Sequence, residues 1–314
     1  MASHLVDWNS DETSGLISIG THKLFLKVAG PPRTVGQPIV LVEAGFGDNS
    51  TSWSAVQHLV AKFARILTYD RAGYGRSDPG PDPRSAQVVA EDLSALLVAA
   101  KIAPPYVVVC HSYGGVLGRE FLARHVEDVV GMVFVDANQE KVAEEIPMPF
   151  DAFGRIVGDM DYLVMIGLDK DHKMGSEGWK AMKDDEGSNQ VGSKQEMKYF
   201  QKNSEELAKK HQFELQVLGE HPVVVIKGNT AGDFRKFYKA AREAGNVTVE
   251  DGASILETLH QLETKDEPLQ REHLMLSSRS RWVQAENGGH NLHISEPNLI
   301  ASEIEKILKE VRES

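Results

Sequence analysis

What most constrains this chain is a series of short, continuous apolar runs, rich in β-branched residues, set between amphipathic stretches. The runs lie at 38–43 (PIVLVE), 65–69 (RILTY), 105–110 (PYVVVC), 130–135 (VGMVFV) and 222–227 (PVVVIK). A run without polar alternation suits a strand of a parallel sheet, because helices cover both of its faces and neither meets water. Between the runs, 52–63, 86–101 and 113–126 have helical spacing, and in the second of these Val88, Val89, Leu93, Leu96 and Leu97 fall on one stripe. Repetition of strand, helix and strand gives right-handed crossovers and predicts an α/β fold with a mostly parallel, doubly wound sheet. Segments 14–19 and 22–28 read as an antiparallel entry hairpin, and 296–312 as a closing amphipathic helix.

The alternation stops after Asp136, and about 80 residues pass before the next buried run, against the roughly 2 to 6 of a plain connection. This predicts an inserted helical cap at 138–218, with residues 1–137 and 219–314 forming the core. The cap segment carries Met148, Met160, Met165, Met174, Met182 and Met197 with Phe150, Phe153, Tyr162, Trp179, Tyr199 and Phe200. Flexible thioethers and aromatic rings suit either an adaptable apolar pocket or packing of the cap onto the sheet. Near 171–196 the composition turns polar and Gly-containing, which predicts a solvated surface or a mobile loop.

Charge excludes some partners. Lys and Arg total 34 against 46 Asp and Glu, and the formal charge of -12 opposes binding to nucleic acid or to anionic lipid. The single cysteine, Cys110, allows no intrachain disulfide, and the N-terminal residues lack the basic and apolar order of a signal peptide. No apolar stretch approaches the roughly 20 residues of a membrane span. The expectation is a cytoplasmic protein acting on a small molecule, with its oligomeric state open. Without metal-ligand spacing or a dinucleotide fingerprint, no metal and no cofactor are expected.

The chemistry centres on Cys110-His111-Ser112-Tyr113-Gly114-Gly115, which follows a buried run directly and precedes a helix. That is the setting of a nucleophile elbow, a sharp turn that presents a serine and needs small residues two positions to either side. Gly114 meets the need, and Cys110 stands where the first glycine is usual. The cysteine falls where its side chain should point into the sheet, so it is read as a buried, inert thiol.

With EAGFGDNSTSW at 43–53, YDRAGYGRSDPGP at 69–81, PPYVVVCHSYGG at 104–115, GMVFVDAN at 131–138 and SSRSRWVQAENGGHNLHISEP at 277–297, the chain resembles the α/β-hydrolase superfamily. The branch is the serine-nucleophile one with a helical cap after the sixth strand, and the likeness covers nearly everything outside the cap. It implies that Ser112 is the nucleophile and that backbone amides of Phe46 and Tyr113 form an oxyanion hole. Ala44-Gly45 stands where the family often has His-Gly. His290, in Gly288-Gly289-His290 after the last strand-like run at 281–285, sits where the superfamily places its base. His293 and His111 are read as packing or structural residues, and Glu43 as a structural hydrogen-bonding partner of the loop.

Two acids compete. Many relatives carry the acid about three residues beyond a glycine after the seventh strand, where this chain has Ala231 and then Asp233. Asp136 ends the sixth strand, 24 residues after Ser112, at the carboxyl edge where open α/β sheets build their sites. Some superfamily members place the acid there, and Asp136 is favoured. The resemblance implies a serine hydrolase of the esterase or lactonase kind, cleaving a carboxylic ester, lactone or related acyl bond of a small apolar substrate through an acyl-enzyme. The rivals are a lyase, cyclase or C–C bond hydrolase using the same residues, and a hydrolase-fold receptor for a small molecule.

Overall fold

Four of the apolar runs become strands in which every residue is buried: β3 (Ile39–Glu43), β4 (Ile66–Asp70), β5 (Tyr106–His111) and β7 (Val223–Lys227). In the computed structural model, which describes residues 6–313, they join β1 (Thr13–Ser18), β2 (Lys23–Ala29), β6 (Val129–Val135) and β8 (Ser280–Gln284). The single sheet has the order β1-β2-β4-β3-β5-β6-β7-β8. The entry hairpin is antiparallel and pairs antiparallel with β4; every other pairing is parallel. The predicted α/β-hydrolase fold class is the one found.

Alternation of side chains along buried strands divides the core in two. Leu41, Val108, Met132, Phe134 and Val225 meet the helices Ala86–Ala99 and Gly114–Arg124 on one face. Val40, Val107, Val133, Val224 and Ile226 meet Ser54–Val60 and Pro297–Glu313 on the other. Helix Ala86–Ala99 begins at Ser85, whose side chain accepts from the Val88 amide and satisfies one of the orphan donors at the helix start. The edge strands differ as their exposure demands: β1 alternates half-buried with exposed, and β8 is mostly half-buried.

Between β6 and β7 the chain runs through a set of mostly short helices from Val142 to Ala208. After β7 come two long helices, Thr230–Glu243 and Val249–Arg271. Ile156, Ile166, Leu168 and Met182 from the first excursion pack with Phe234, Phe237, Ala241 and Ile255 from the second in one apolar cluster. The polar segment near 171–196 is not a loop. It forms helices Gly175–Asp185 and Gln190–Met197 joined by a 3₁₀ turn, and its polar residues Asn189 and Glu196 are buried against the core. Among the described residues no helix is long and apolar enough to cross a membrane.

Candidate active site

The carboxyl edge of the sheet brings the site together through register. His111 lies opposite Val135, and Val135 opposite Ile226, so the next residues along, Ser112, Asp136 and Lys227, emerge side by side. Ser112 has φ of 52° and Asp136 of 42°, a left-handed conformation that costs a non-glycine residue roughly 1–3 kcal/mol and lifts each side chain off the sheet edge. The Ser112 carbonyl holds the turn by accepting from Gly115 and Asn138 amides at 2.9 and 2.8 Å. Glycine is required beside it, since a Cβ at Gly114 would lie 2.2 Å from the Glu43 carbonyl oxygen.

Cys110 is fully buried, and burial pushes its thiol well above the ordinary range, as an inert core residue requires. Its bulk is accommodated by Gly118, where a Cβ would lie 2.2 Å from the Cys110 sulfur. Gly118→Ala is therefore expected to destabilise the fold by about 1–3 kcal/mol through overpacking, measured by urea unfolding. The loss should largely vanish when Cys110→Gly is added; equal losses in both backgrounds would show that the sulfur is not the obstacle.

Ser112 Oγ lies 2.9 Å from His290 Nε2, and His290 Nδ1 lies 2.7 Å from Asp136 Oδ2. Asp136 is 1% exposed and accepts at Oδ1 from Lys227 Nζ (2.9 Å), the Gly228 amide (3.0 Å) and Gln270 Nε2 (2.9 Å), while Thr230 Oγ1 donates to Oδ2. Burial alone would raise the Asp136 carboxyl, but the Lys227 charge and hydrogen bonds from His290 and Thr230 hold it well below the usual range. For His290 burial pulls downward, and the hydrogen bond and charge of Asp136, with Asp233 and Asp266 behind, raise it above its ordinary value. Asp233 does not reach the ring: it accepts from the His290 backbone amide at 2.8 Å.

Phe46 lines the cavity over Ser112, and Tyr113 ends the turn before helix Gly114–Arg124. Among the described residues neither backbone amide donates to a backbone carbonyl or a side chain. The support that Ala44-Gly45 lacks in sequence comes from elsewhere. Arg71 donates to the Ala44 and Gly45 carbonyls at 2.9 and 2.8 Å and is held by Glu196 at 2.7 Å; Asn189 donates to the Gly47 carbonyl at 2.9 Å. Sequence reasoning passed over Arg71, Asn189, Glu196, Lys227 and Asp266. The arginine stands inside a quoted motif and Lys227 closes a quoted apolar run, whereas Asn189, Glu196 and Asp266 lie in segments whose polarity gives no hint of burial. Glu43 is fully buried and accepts from Tyr69 Oη on the neighbouring strand at 2.6 Å, not from the loop, and burial pushes its carboxyl up to about 7.

The cavity above Ser112 has a volume of about 640 Å³. Phe46, Met160, Tyr162, Leu163, Met182 and Ile294 give it an apolar side, and Asp48, Asp161 and Lys183 a polar one. His293 stacks on Trp53 at 4.8 Å and lies 3.4 Å from Asp48; His111 Nε2 donates to the His290 carbonyl, 3.0 Å away. Asp48, His111 and His293 bring one ligand-type atom each to within 4.8 Å of the others, beside the Trp53 ring and the His290 carbonyl.

Residues 39–303 match the model of the Alpha/beta hydrolase family. An AB hydrolase superfamily protein of Gibberella zeae is 34% identical over 303 residues, 92% of each chain. A Hormonema carpetanum protein named Probable transporter efuK is 35% identical over 96% of this chain, which spans only 43% of that relative. Among solved structures, a thermophilic esterase from Thermogutta terrifontis superposes with a TM-score of 0.56 at 15% identity, over 95% of this chain and 99% of the other, a likeness of fold.

Proposed function

Because the chain belongs to the α/β hydrolase family, we propose that it is a cofactor-independent serine hydrolase of the esterase or lactonase kind, with Ser112 as nucleophile, His290 as base and Asp136 as acid. The observation that carries this reading is the continuous hydrogen-bonded chain from Ser112 Oγ through both nitrogens of His290 to the buried Asp136 carboxylate. In the proposed reaction His290 Nε2 takes the Ser112 proton as Oγ bonds to the substrate carbonyl carbon. The oxyanion is held by the Phe46 and Tyr113 amides, at a helix start where positive dipole ends converge. Collapse of the adduct breaks the acyl–oxygen bond, and His290 passes the proton to the departing alkoxide. Water, deprotonated in turn by His290, then releases the acid and restores Ser112. Asp136 orients the imidazole and stabilises imidazolium.

Residues 138–218 serve in this reading as the cap, with the apolar side of the cavity receiving a small apolar acyl or alcohol group. A panel of neutral esters of rising chain length together with lactones tests the substrate class, and a fluorophosphonate reporter tests the nucleophile by mapping the modified peptide. The base must be neutral to act, and its carboxylate surroundings raise its pKa. Activity should therefore rise with pH through an apparent pKa above the ordinary value of about 6.5. A profile of kcat/KM from pH 5 to 9 checks this; a midpoint well below 6 with chemistry limiting would contradict it.

A further inference from the structure

The acid beside His290 is itself paired with a buried cation, and that arrangement needs an account. Lys227, at the carboxyl end of β7, is 7% exposed and places its ammonium 2.9 Å from Asp136 Oδ1, on the side of the carboxylate opposite His290. A cation there opposes imidazolium formation, because in a poorly polarisable interior its charge reaches the ring with little screening. Behind it stands Asp266, from helix Val249–Arg271, 2.8 Å from Lys227 Nζ and also buried. Gln270, one turn along the same helix, donates to both Asp136 (2.9 Å) and Asp266 (3.0 Å) and ties the two carboxylates into one unit.

Charge counting shows what Asp266 does. Asp136, Lys227 and Asp266 together carry -1, so protonating His290, itself half-buried at the cavity, brings the group of four to zero. Without the Asp266 charge, Asp136 and Lys227 cancel, and the same protonation would leave an uncompensated positive charge on a ring only partly open to water, which its surroundings disfavour. Resting on the Ser112–His290–Asp136 reading above, we propose that Asp266 is a positioning residue for that reaction, neutralising Lys227 so that Asp136 keeps its effect on His290. The second helical excursion, outside the inserted cap segment, thereby reaches into the chemistry without touching substrate.

Other charged or titratable groups face His290. Asp233, at the start of helix Thr230–Glu243, accepts from the His290 amide and has Lys236 3.7 Å away. His111, at the end of β5, has its ring centroid 4.8 Å from that of His290 and 4.4 Å from that of His293, with the Asp48 carboxylate close to both His111 and His293. Burial and the neighbouring imidazoles hold His111 well below the ordinary histidine range, so it stays uncharged while His290 titrates. Among the described residues, none of these groups hydrogen-bonds or ion-pairs with Lys227 or Asp266, whose side-chain partners are Asp136, Gly228, Gln270 and each other.

The test is the titration of His290, read by imidazole NMR with assignment from His290→Gln, and in parallel by the pH profile of kcat/KM. Asp266→Asn should lower the His290 pKa by roughly 0.5 to 1 unit and lower kcat, and Lys227→Gln should raise the pKa by a similar amount. The double variant should return close to wild type. Opposite signs are what loss of packing cannot produce, and either single variant that keeps the wild-type circular dichroism decides the matter. A folded single variant that titrates as wild type, or shifts of the same sign in both, would overturn the proposal. Because NMR needs no turnover, this failure is distinct from that of the hydrolase reading, which would appear as full activity in Ser112→Ala.

Discussion

Ser112→Ala should lose turnover by a factor on the order of 10⁶, the scale on which removing a serine nucleophile acts once its base and acid are in place, and should lose fluorophosphonate labelling completely. The effect is large because no other group near His290 Nε2 offers a replacement: Cys110 is fully buried with its sulfur against Gly118, and Ser52 is engaged with Asp48. Stability should hold or rise slightly. The left-handed φ of 52° costs alanine as it costs serine, and the hydroxyl's partner among the described residues, His290, sits at a cavity open to water. Steady-state kinetics on an activated ester, with unfolding curves alongside, settle the matter. Wild-type turnover in the folded variant would remove Ser112 from the chemistry.

Asp136→Asn is expected to lower kcat by up to about 10⁴-fold, because an amide in place of the carboxylate favours the wrong imidazole tautomer and no longer stabilises imidazolium. The same change weakens the bond from Lys227 and faces the Gly228 amide and Gln270 with a group of altered donor pattern. A loss of stability is therefore expected as well, and chemical denaturation must accompany the rates. Asp233→Asn is the matched control. It removes a charge that meets the His290 backbone rather than its ring, and an amide oxygen can still accept that bond, so the rate should fall by less than about tenfold. A crippled, folded Asp233→Asn beside an active, folded Asp136→Asn would reverse the assignment.

The sheet could be read from the chain because strands buried on both faces are built mainly of apolar residues, and PIVLVE, PYVVVC and PVVVIK say so without help from distant contacts. The turn at Ser112 was equally legible, since its glycines answer a local steric demand. Asp136 could be preferred by its place at a strand end, though composition alone left Asp233 open. The buried polar residues were not legible. Glu196 and Asn189 sit in a stretch as hydrophilic as any surface, and only the tertiary partners Arg71, Tyr74 and Asn49 reveal that they face inward. Lys227 closes an apolar run where a solvated end would be the ordinary reading, and Asp266 lies 39 positions further on in a charged helix; their pairing is a matter of three dimensions.

The Arg71–Glu196 pair bears on how ligands come and go. Both side chains are 1% exposed, Tyr74 Oη adds a 2.7 Å bond to Glu196, and a Cβ at Gly192 on the same helix would lie 2.2 Å from the Tyr74 ring. Lifting helix Gln190–Met197 away would strand a buried charge at about 3–5 kcal/mol, leaving such an open form at roughly one part in 10² to 10⁴. Traffic through so rare a form would throttle product release. A cheaper passage is expected where Asp159 and Glu186, which line the cavity, are exposed and Lys183 is held by ion pairs at a half-buried surface. The residence time of a product should accordingly depend on the segments 159–163 and 183–186, with the loop at 44–47 beneath Arg71 staying fixed through the whole cycle.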